Sequence, residues 1–247
     1  NSDKIKKGTN ELSIRNKKIL TSFEIKEKNI EFKSQKLKLI NAPYDYNGRV
    51  SFKPFDMNLS INLERIDFEK LLISNFLFLE FIKTGVLFNQ NLNLQVVVAS
   101  DKVEYIKKFD TTKIYLNFLN GKMNLDNSEL ISKKIGKIIL EKSNIYLNEN
   151  DELIFSGSFK FSIKDNKEFY KTLQTPKKFR KDINKINIGL EYNLINNDFD
   201  ILDIRFNNSE ENLAEIVDNS IQDLKFDENV NWITIKKLSN KILNNYD

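Results

Sequence analysis

The chain has 247 residues, of which 40% are hydrophobic, and its 39 Lys and Arg residues against 35 Asp and Glu residues leave a formal net charge of +4. The length allows a sizeable core, while the basic residues are scattered and form no concentrated patch, so we expect no nucleic-acid partner. The absence of Cys and His removes disulfides, the commonest general base and nearly all transition-metal sites. We therefore expect no cofactor, no metal and no catalytic residue, with a glycosidase built on two carboxylates as the remaining enzymatic alternative.

The N-terminal quarter of the chain shows the two-residue alternation of strands that have one apolar side and one wetted side. Short alternating runs with charged outer residues occupy residues 1–40. Asn47-Gly48 is a common turn pair, and it predicts a turn there. The longest alternation follows from Met57 to Leu63 and predicts a strand.

The alternation fails where residues 71–73 and 76–79 are continuously apolar. The spacing predicts a helix near 75–84, begun by Ser74 and ended by Gly85 in a left-handed conformation. Such a helix is too short to span a bilayer. It either plugs one end of the sheet or acts as a lid or a membrane-dipping element.

Strands resume after residue 90 and bring the expected total to roughly fourteen. Asn120-Gly121 predicts a tight hairpin of type I′, because both central positions of that turn favour positive φ. The acidic segment 148–152 lacks the spaced order of a calcium loop, so it predicts a hairpin turn. We also expect a slip in register near Leu202.

A repeating unit of two strands, a short helix and two strands is predicted over residues 153–206. Asp165 and Glu168 have the spacing of a capping box, which predicts a helix over 166–174. The helix should end before Thr175-Pro176, since a residue that precedes proline is biased away from helical conformation.

The period changes to that of helices after Asn208, which divides the chain into residues 1–207 and a helical C-terminal segment, 208–247. Apolar stripes predict one helix over 209–224 and a second one beginning near Trp232. The second helix either caps the sheet or meets an anionic lipid surface. In the latter case the contact residues are Trp232, Ile235, Lys236, Lys237 and Lys241.

The expected fold is all-β and mainly antiparallel: a long curled sheet with a few short helices at its margins and an amphipathic helical C-terminus. We expect no parallel pair at the centre of the sheet, because the sequence shows no strand-helix-strand spacing typical of parallel sheets. An open sheet with so many strands must curl or split.

The chain resembles the C-terminal region of AsmA-like proteins, repeating β-groove proteins of Gram-negative bacteria related to TamB. Three segments carry the resemblance: NFLFLEFIKTGVLFNQNLN at 75–93, DNKEFYKTLQTPKKFRKDINKINIGLEYNL at 165–194, and NWITIKK at 231–237. The likeness lies in a pattern of strands and short helices, with no catalytic residues among them.

The resemblance implies a non-enzymatic scaffold of envelope biogenesis that carries phospholipid, or another acyl-chain ligand, along an apolar groove between the inner and outer membranes. It also implies a periplasmic location, contact with a membrane surface and partner β-modules that continue the sheet. The chain starts at Asn1 without an apolar run of about 20 residues, so we expect an inner-membrane anchor in a segment outside it.

Two hypotheses differ in what covers the apolar side of the sheet. In a lipid groove it stays open to a ligand, whereas in a β-sandwich of a cell-surface or structural binding domain it faces a second sheet. The residues predicted to line the groove are Leu59, Ile61, Leu94, Val96, Leu116, Phe118, Phe159, Phe161, Ile188 and Leu190.

Overall fold

The computed structural model describes residues 5–14, 17–34, 44–67, 82, 84–104, 109–196, 198–214 and 232–244, and for 12–14, 17–18, 199 and 232–235 it describes the backbone alone. The α-helices with described bounds are α1 (Asn166–Leu173) and α2 (Trp232–Asn244). Short 3-10 helices cover Val86–Phe88 and Lys177–Phe179. The described residues form fifteen strands: β1 Lys6–Ile14, β2 Lys17–Lys26, β3 Asn29–Ser34, β4 Tyr44–Phe52, β5 Phe55–Leu63, β6 Ile66–Asp67, β7 Leu94–Ser100, β8 Val103–Glu104, β9 Thr111–Leu119, β10 Lys122–Asn124, β11 Glu129–Ser132, β12 Gly136–Leu147, β13 Leu153–Ile163, β14 Lys185–Asn193 and β15 Phe199–Phe206.

Thirteen of these strands form one sheet in the order β1-β2-β3-β4-β5-β7-β9-β10-β12-β13-β14-β15, with β11 paired to both β9 and β12. Eleven steps of about 4.8 Å between neighbouring strands make this path ~53 Å long. All pairs along it are antiparallel except β5 with β7. The predicted all-β, mainly antiparallel fold is therefore confirmed.

The parallel pair of β5 and β7 lies at the centre of the sheet, so the expectation that no such pair occurs there is wrong. The connection from Leu63 to Leu94 is long enough to return the chain to the same end of the sheet, as parallel pairing requires. It contains the predicted helix near 75–84, of which only Ile82 and Thr84 are described. The segment thus belongs to a crossover connection, which the predicted roles of plug, lid or membrane-dipping element did not include.

The turn predicted at Asn47-Gly48 is also wrong, because both residues lie inside β4 and pair with Ser60 and Leu59. The chain reverses afterwards, at residues 53–54. A Cβ atom on Gly48 would lie 2.5 Å from Cζ of Phe32 and 2.7 Å from the carbonyl oxygen of Asn58. Gly48 thus makes room for an aromatic ring from the neighbouring strand.

The other predicted turns are confirmed. Asn120 and Gly121 have φ angles of 52° and 71° between β9 and β10, as the type I′ turn requires. Between β12 and β13, the Asn148 side-chain oxygen accepts hydrogen bonds from the backbone N–H groups of Asn150 and Glu152, both at 2.9 Å. The acidic segment is therefore a hairpin turn.

Two of the predicted helices are confirmed. Asp165 caps α1 by accepting a hydrogen bond from the Glu168 backbone N–H, and α2 begins at Trp232. The start of the helix predicted over 209–224 is wrong, since residues 209–213 are not helical; its residues 215–224 lie outside the described residues. Gly85 has the predicted left-handed conformation, with φ 73°.

Two bulges keep one side of the sheet apolar along its whole length. In β12, Ile138 and Leu140 have even numbers and Ile145 has an odd one. Because side chains alternate between the two faces, a regular strand would place Ile145 on the face opposite to the other two. The register shifts between Glu141 and Asn144, which restores the common face. A second shift in β15 leaves Leu202 52% exposed and confirms the predicted slip.

Asp126 holds the bulge of β12 in place. Its carboxylate accepts hydrogen bonds from the backbone N–H and the hydroxyl group of Ser143, at 2.6 and 2.9 Å, and Ser143 is fully buried. Burial acts to raise the pKa of Asp126, but hydrogen bonds from Ser143 and Asn124 outweigh it and hold this pKa below its usual value. The ionised carboxylate is therefore the form that stabilises the bulge.

Asp126→Ala should lower the free energy of unfolding by about 1.5 to 3 kcal/mol, because the donors of buried Ser143 lose a charged acceptor. Since the folded-state pKa of Asp126 is depressed, its contribution is present above its unfolded-state pKa and is lost as pH falls through the lower folded value. Urea denaturation at neutral and acidic pH measures the free energy of unfolding. Its loss on acidification should therefore be smaller in this variant than in Asp200→Ala, a substitution at an exposed position. Equal acid sensitivity in the two variants would contradict the role of Asp126.

Gly48→Ala should destabilise the protein by about 1 to 3 kcal/mol, because its Cβ atom has to displace the Phe32 ring and a backbone oxygen. Gly189→Ala is the matched control in β14, where the nearest atom to an added Cβ, on Asp203, is 3.3 Å away. Thermal denaturation followed by circular dichroism measures both. A melting temperature of Gly48→Ala at or above that of the control would show that β4 does not need this glycine.

Candidate functional site: the apolar face of the sheet

Strand register places all ten predicted groove residues on one side of the sheet, which we call the apolar face. In β5, β7 and β9, Leu59 pairs with Val96 and Val96 with Leu116. The same side continues through β10 and β12 into β13, where Phe159 pairs with Ile188 of β14. The remaining five residues lie an even number of positions from these partners: Ile61, Leu94, Phe118, Phe161 and Leu190.

The apolar face carries almost no charge. From β3 to β15, none of its described register positions is occupied by Lys, Arg, Asp or Glu. Its polar members are hydroxyl-bearing side chains such as Tyr46, Thr112 and Tyr192, and burial raises the pKa of Tyr192. A surface of this kind suits a hydrocarbon chain and repels an ionic ligand.

Helices cover the apolar face at the C-terminal end of the sheet. The ring of Phe161 meets the Phe169 ring of α1 edge to face, with centroids 5.3 Å apart. Ile188 packs against the same cluster, in which Ile204 of β15 is fully buried. Phe161 and Ile188 are therefore occupied by contacts within the protein.

A second cover lies over the middle of the sheet. Ile82 and Phe88 pack on Leu116 and Phe118, which are 9% and 2% exposed. Leu94, Val96 and Phe155 are partly buried and pack against this cluster. The Phe155 ring lies 5.9 Å from that of Phe159, between centroids.

The first five strands differ from the rest, because none of their residues with described side chains is buried. Leu59 and Ile61 are half-buried and belong to no core cluster, while Phe52 and Phe55 are exposed. We call the apolar face of β2 to β5 the open apolar region. Its central members are Phe23, Phe32, Met57, Leu59 and Ile61.

No second sheet of comparable size faces the apolar side in the described part of the chain. The other sheet there consists only of β6 and β8. Ile66 and Val103 from these strands form a small cluster with Phe109, which packs against Leu63, Ile114, Leu130 and Ile138 of the large sheet. The predicted groove residues are thus partly covered by helices and loops in β7 to β15 and uncovered by described residues in β5.

The C-terminal half of α2 packs on α1 and on the sheet. Lys236 donates a hydrogen bond to the side chain of Gln174, and Asn240 to the carbonyl group of Leu173, both at 2.9 Å. Ile242 and Leu243 are buried in the same core. This half therefore caps the sheet. Of the predicted lipid-contact residues, Lys237 is exposed and Lys241 half-buried, while the side chains of Trp232 and Ile235 lie outside the described set.

The two edge strands of the sheet, β1 and β15, differ in whether the backbone groups on their outer side are hydrogen-bonded. Beside β15, the Asn212 side chain accepts a hydrogen bond from the Ile204 N–H at 2.9 Å and donates one to the Leu202 carbonyl at 3.2 Å. The Leu213 N–H donates to the Ile204 carbonyl at 3.0 Å. At the other end, no described strand pairs with the outer side of β1. The chain itself thus blocks one edge, and nothing in the sequence pattern had marked Asn212 for this role.

Comparisons with known proteins give no further guide, since no protein-family model, curated protein or solved structure matches the chain.

Within the described ranges, no group of three or more Asp and Glu residues is arranged to hold a metal ion. The described helices include none that is long and apolar enough to cross a membrane. The covering residues Ile82 and Phe88 were not predicted as site residues; Ile82 lies in the helix predicted near 75–84, and Phe88 lies beyond its predicted end at Gly85.

Aspartate substitutions should distinguish the open from the covered part of the apolar face. Leu59→Asp should retain the fold, because its carboxylate reaches water, whereas Phe118→Asp should unfold the protein. Loss of the buried Phe118 ring alone costs about 3 to 5 kcal/mol, and the buried charge adds to this. Ser60→Asp, on the opposite side of β5, is the control for strand propensity. If Leu59→Asp melted as early as Phe118→Asp, the region around β5 would be closed.

Proposed function

We propose that the protein is a non-enzymatic lipid-binding scaffold that holds the acyl chains of phospholipid against the open apolar region. The observation that carries the proposal is the apolar face itself, which runs in register across the sheet, carries no charged residue at its described positions from β3 to β15 and lacks a described cover in β2 to β5. Exposed apolar surface of this extent is unusual on a soluble monomer unless it binds something.

The dimensions of the open apolar region agree with those of an acyl chain. β5 has nine residues, which at about 3.3 Å per residue span ~30 Å. One leaflet of a bilayer is about half of the ~30 Å hydrocarbon core. Each CH₂ group moved out of water contributes about 0.8 kcal/mol, so even a partly covered chain is held by a substantial free energy.

Lipid transfer between the two membranes of a Gram-negative envelope follows from this proposal and from the resemblance to AsmA-like proteins. In that setting the protein is periplasmic and anchored to the inner membrane, and the uncovered edge of β1 is where a partner β-module continues the sheet. Because the edge at β15 is blocked, a partner strand extends the sheet only at β1. The lipid path then ends at β15.

A lipid-free β-sandwich domain is supported less well. A sandwich needs a second sheet that packs about 10 Å from the first, and the described strands supply only the two-residue strands β6 and β8 for that purpose. Helices and loops cover the apolar face locally. Lipid binding is therefore the function that we propose.

Mass spectrometry of lipid extracts from the purified protein tests the proposal. Wild type should carry phospholipid, and Leu59→Asp should lose most of it while keeping its circular dichroism spectrum. Ser60→Asp places the same charge on the opposite side of β5 and should retain the lipid. A folded wild type that carries no lipid, and takes up none from phospholipid vesicles, would refute lipid binding.

A further inference from the structure

The side of the sheet opposite the apolar face contains a cavity of about 1010 Å³. It crosses six adjacent strands, β1 to β5 and β7, between two rows of side chains that register aligns across them. The first row consists of Lys7, Glu24, Glu31, Arg49, Asn58 and Gln95.

The second row lies two residues from the first on each strand, toward the same end of the sheet. Its members are Thr9, Ser22, Lys33, Asn47, Ser60 and Val97. Because neighbouring strands are about 4.8 Å apart, five steps make the space between the rows ~24 Å long. We call this space the polar trench.

The floor of the polar trench is a single layer of backbone. Gly8 and Gly48 line it and can contribute only backbone atoms. On the apolar face, Cζ of Phe23 lies 2.5 Å from where a Cβ of Gly8 would be, and Phe32 stands over Gly48 at the same distance. The rings thus fill the space that the missing side chains leave, as aromatic residues do over strand glycines.

The polar trench carries charges of both signs: Lys7, Lys33 and Arg49 stand against Glu24 and Glu31, which leaves a net charge of +1. Lys7 forms an ion pair with Glu24 at 2.7 Å, and Lys26, just outside the trench, forms one with Glu31 at 2.8 Å. A polyanion would meet these two carboxylates, and a polycation would compete with the paired lysines. Because charges of both signs lie along the trench and nearly balance, it favours a neutral ligand over a polyanion or a polycation.

Several polar side chains in the trench are available to a ligand. Within the described residues, Thr9, Asn47, Ser60 and Gln95 make no side-chain hydrogen bond. Hydroxyl and amide groups both donate and accept, so they match ligand hydroxyl groups, which do the same. Backbone groups of the floor are used in the strand ladders, which disfavours an extended peptide.

We propose that the polar trench binds an extended, neutral glycan, with about one sugar unit for each strand crossed. The strand spacing of about 4.8 Å is close to the length of one pyranose unit in an extended β-1,4-linked chain, so each unit meets one side chain from each row. The site lies on the face opposite the open apolar region, and the inference does not depend on lipid binding.

Isothermal titration of the full chain with cellohexaose and with the hexamer of N-acetylglucosamine tests the proposal. At least one of the two should bind, with an affinity that changes little between low and high salt, because neutral sugars do not depend on screened charges. Ser60→Trp fills the trench and should weaken this binding by about tenfold or more, equivalent to about 1.4 kcal/mol.

Ser51→Trp is the matched control, since Ser51 lies on the same side of β4, outside the trench, and makes no side-chain hydrogen bond in the described residues. It should bind the hexamer as wild type does. If Ser60→Trp fails to fold, the double variant Asn47→Ala/Gln95→Ala replaces it and should show the same loss. Wild type that binds neither hexamer, or trench variants that bind like wild type, would overturn the proposal. Co-purified lipid should be the same in all these proteins, because the open apolar region lies on the other side of the sheet; its loss from a trench variant would contradict the independence of the two faces.

Discussion

Parity is the constraint on which this structure depends: every strand has to turn the same alternate residues toward the same side. A shift of one residue in any strand exchanges its apolar and polar side chains. In β12 the sequence itself breaks parity between Leu140 and Ile145, and the bulge that corrects it is held by the carboxylate of Asp126. The apolar face is therefore continuous because of a local hydrogen-bonded device as well as the sequence pattern.

Although the same face is apolar throughout, strands β1 to β5 and strands β7 to β15 differ in what covers that face. In β7 to β15, helices and loops complete a core in which Phe118, Met123 and Ile204 are almost fully buried. In β1 to β5, the described side chains build no core, and the opposite face forms the polar trench instead. The described residues of β1 to β5 thus form a single layer without a core. The parallel pair of β5 and β7 joins this layer to strands β7 to β15, which have one.

Alternation predicted which residues share a face, because side-chain direction in a strand is set by local geometry. It did not predict coverage: Leu59 and Leu116 stand in the same kind of pattern and lie on the same cross-strand row, but only Leu116 meets a covering segment. Sequence alone also does not show why a glycine is needed at a given position. Gly121 serves a turn, whereas Gly48 serves the ring of a residue on another strand, and only the contact distinguishes the two.

The open half of the sheet ties ligand binding to folding. A sheet of several strands needs an apolar face in contact with something other than water to be stable, and β2 to β5 show no such contact among the described residues. A ligand that binds only the folded state adds RT ln(1 + [L]/Kd) to the free energy of unfolding. For the first five strands, then, an occupant of the open apolar region would supply the burial that α1 and α2 supply at the other end.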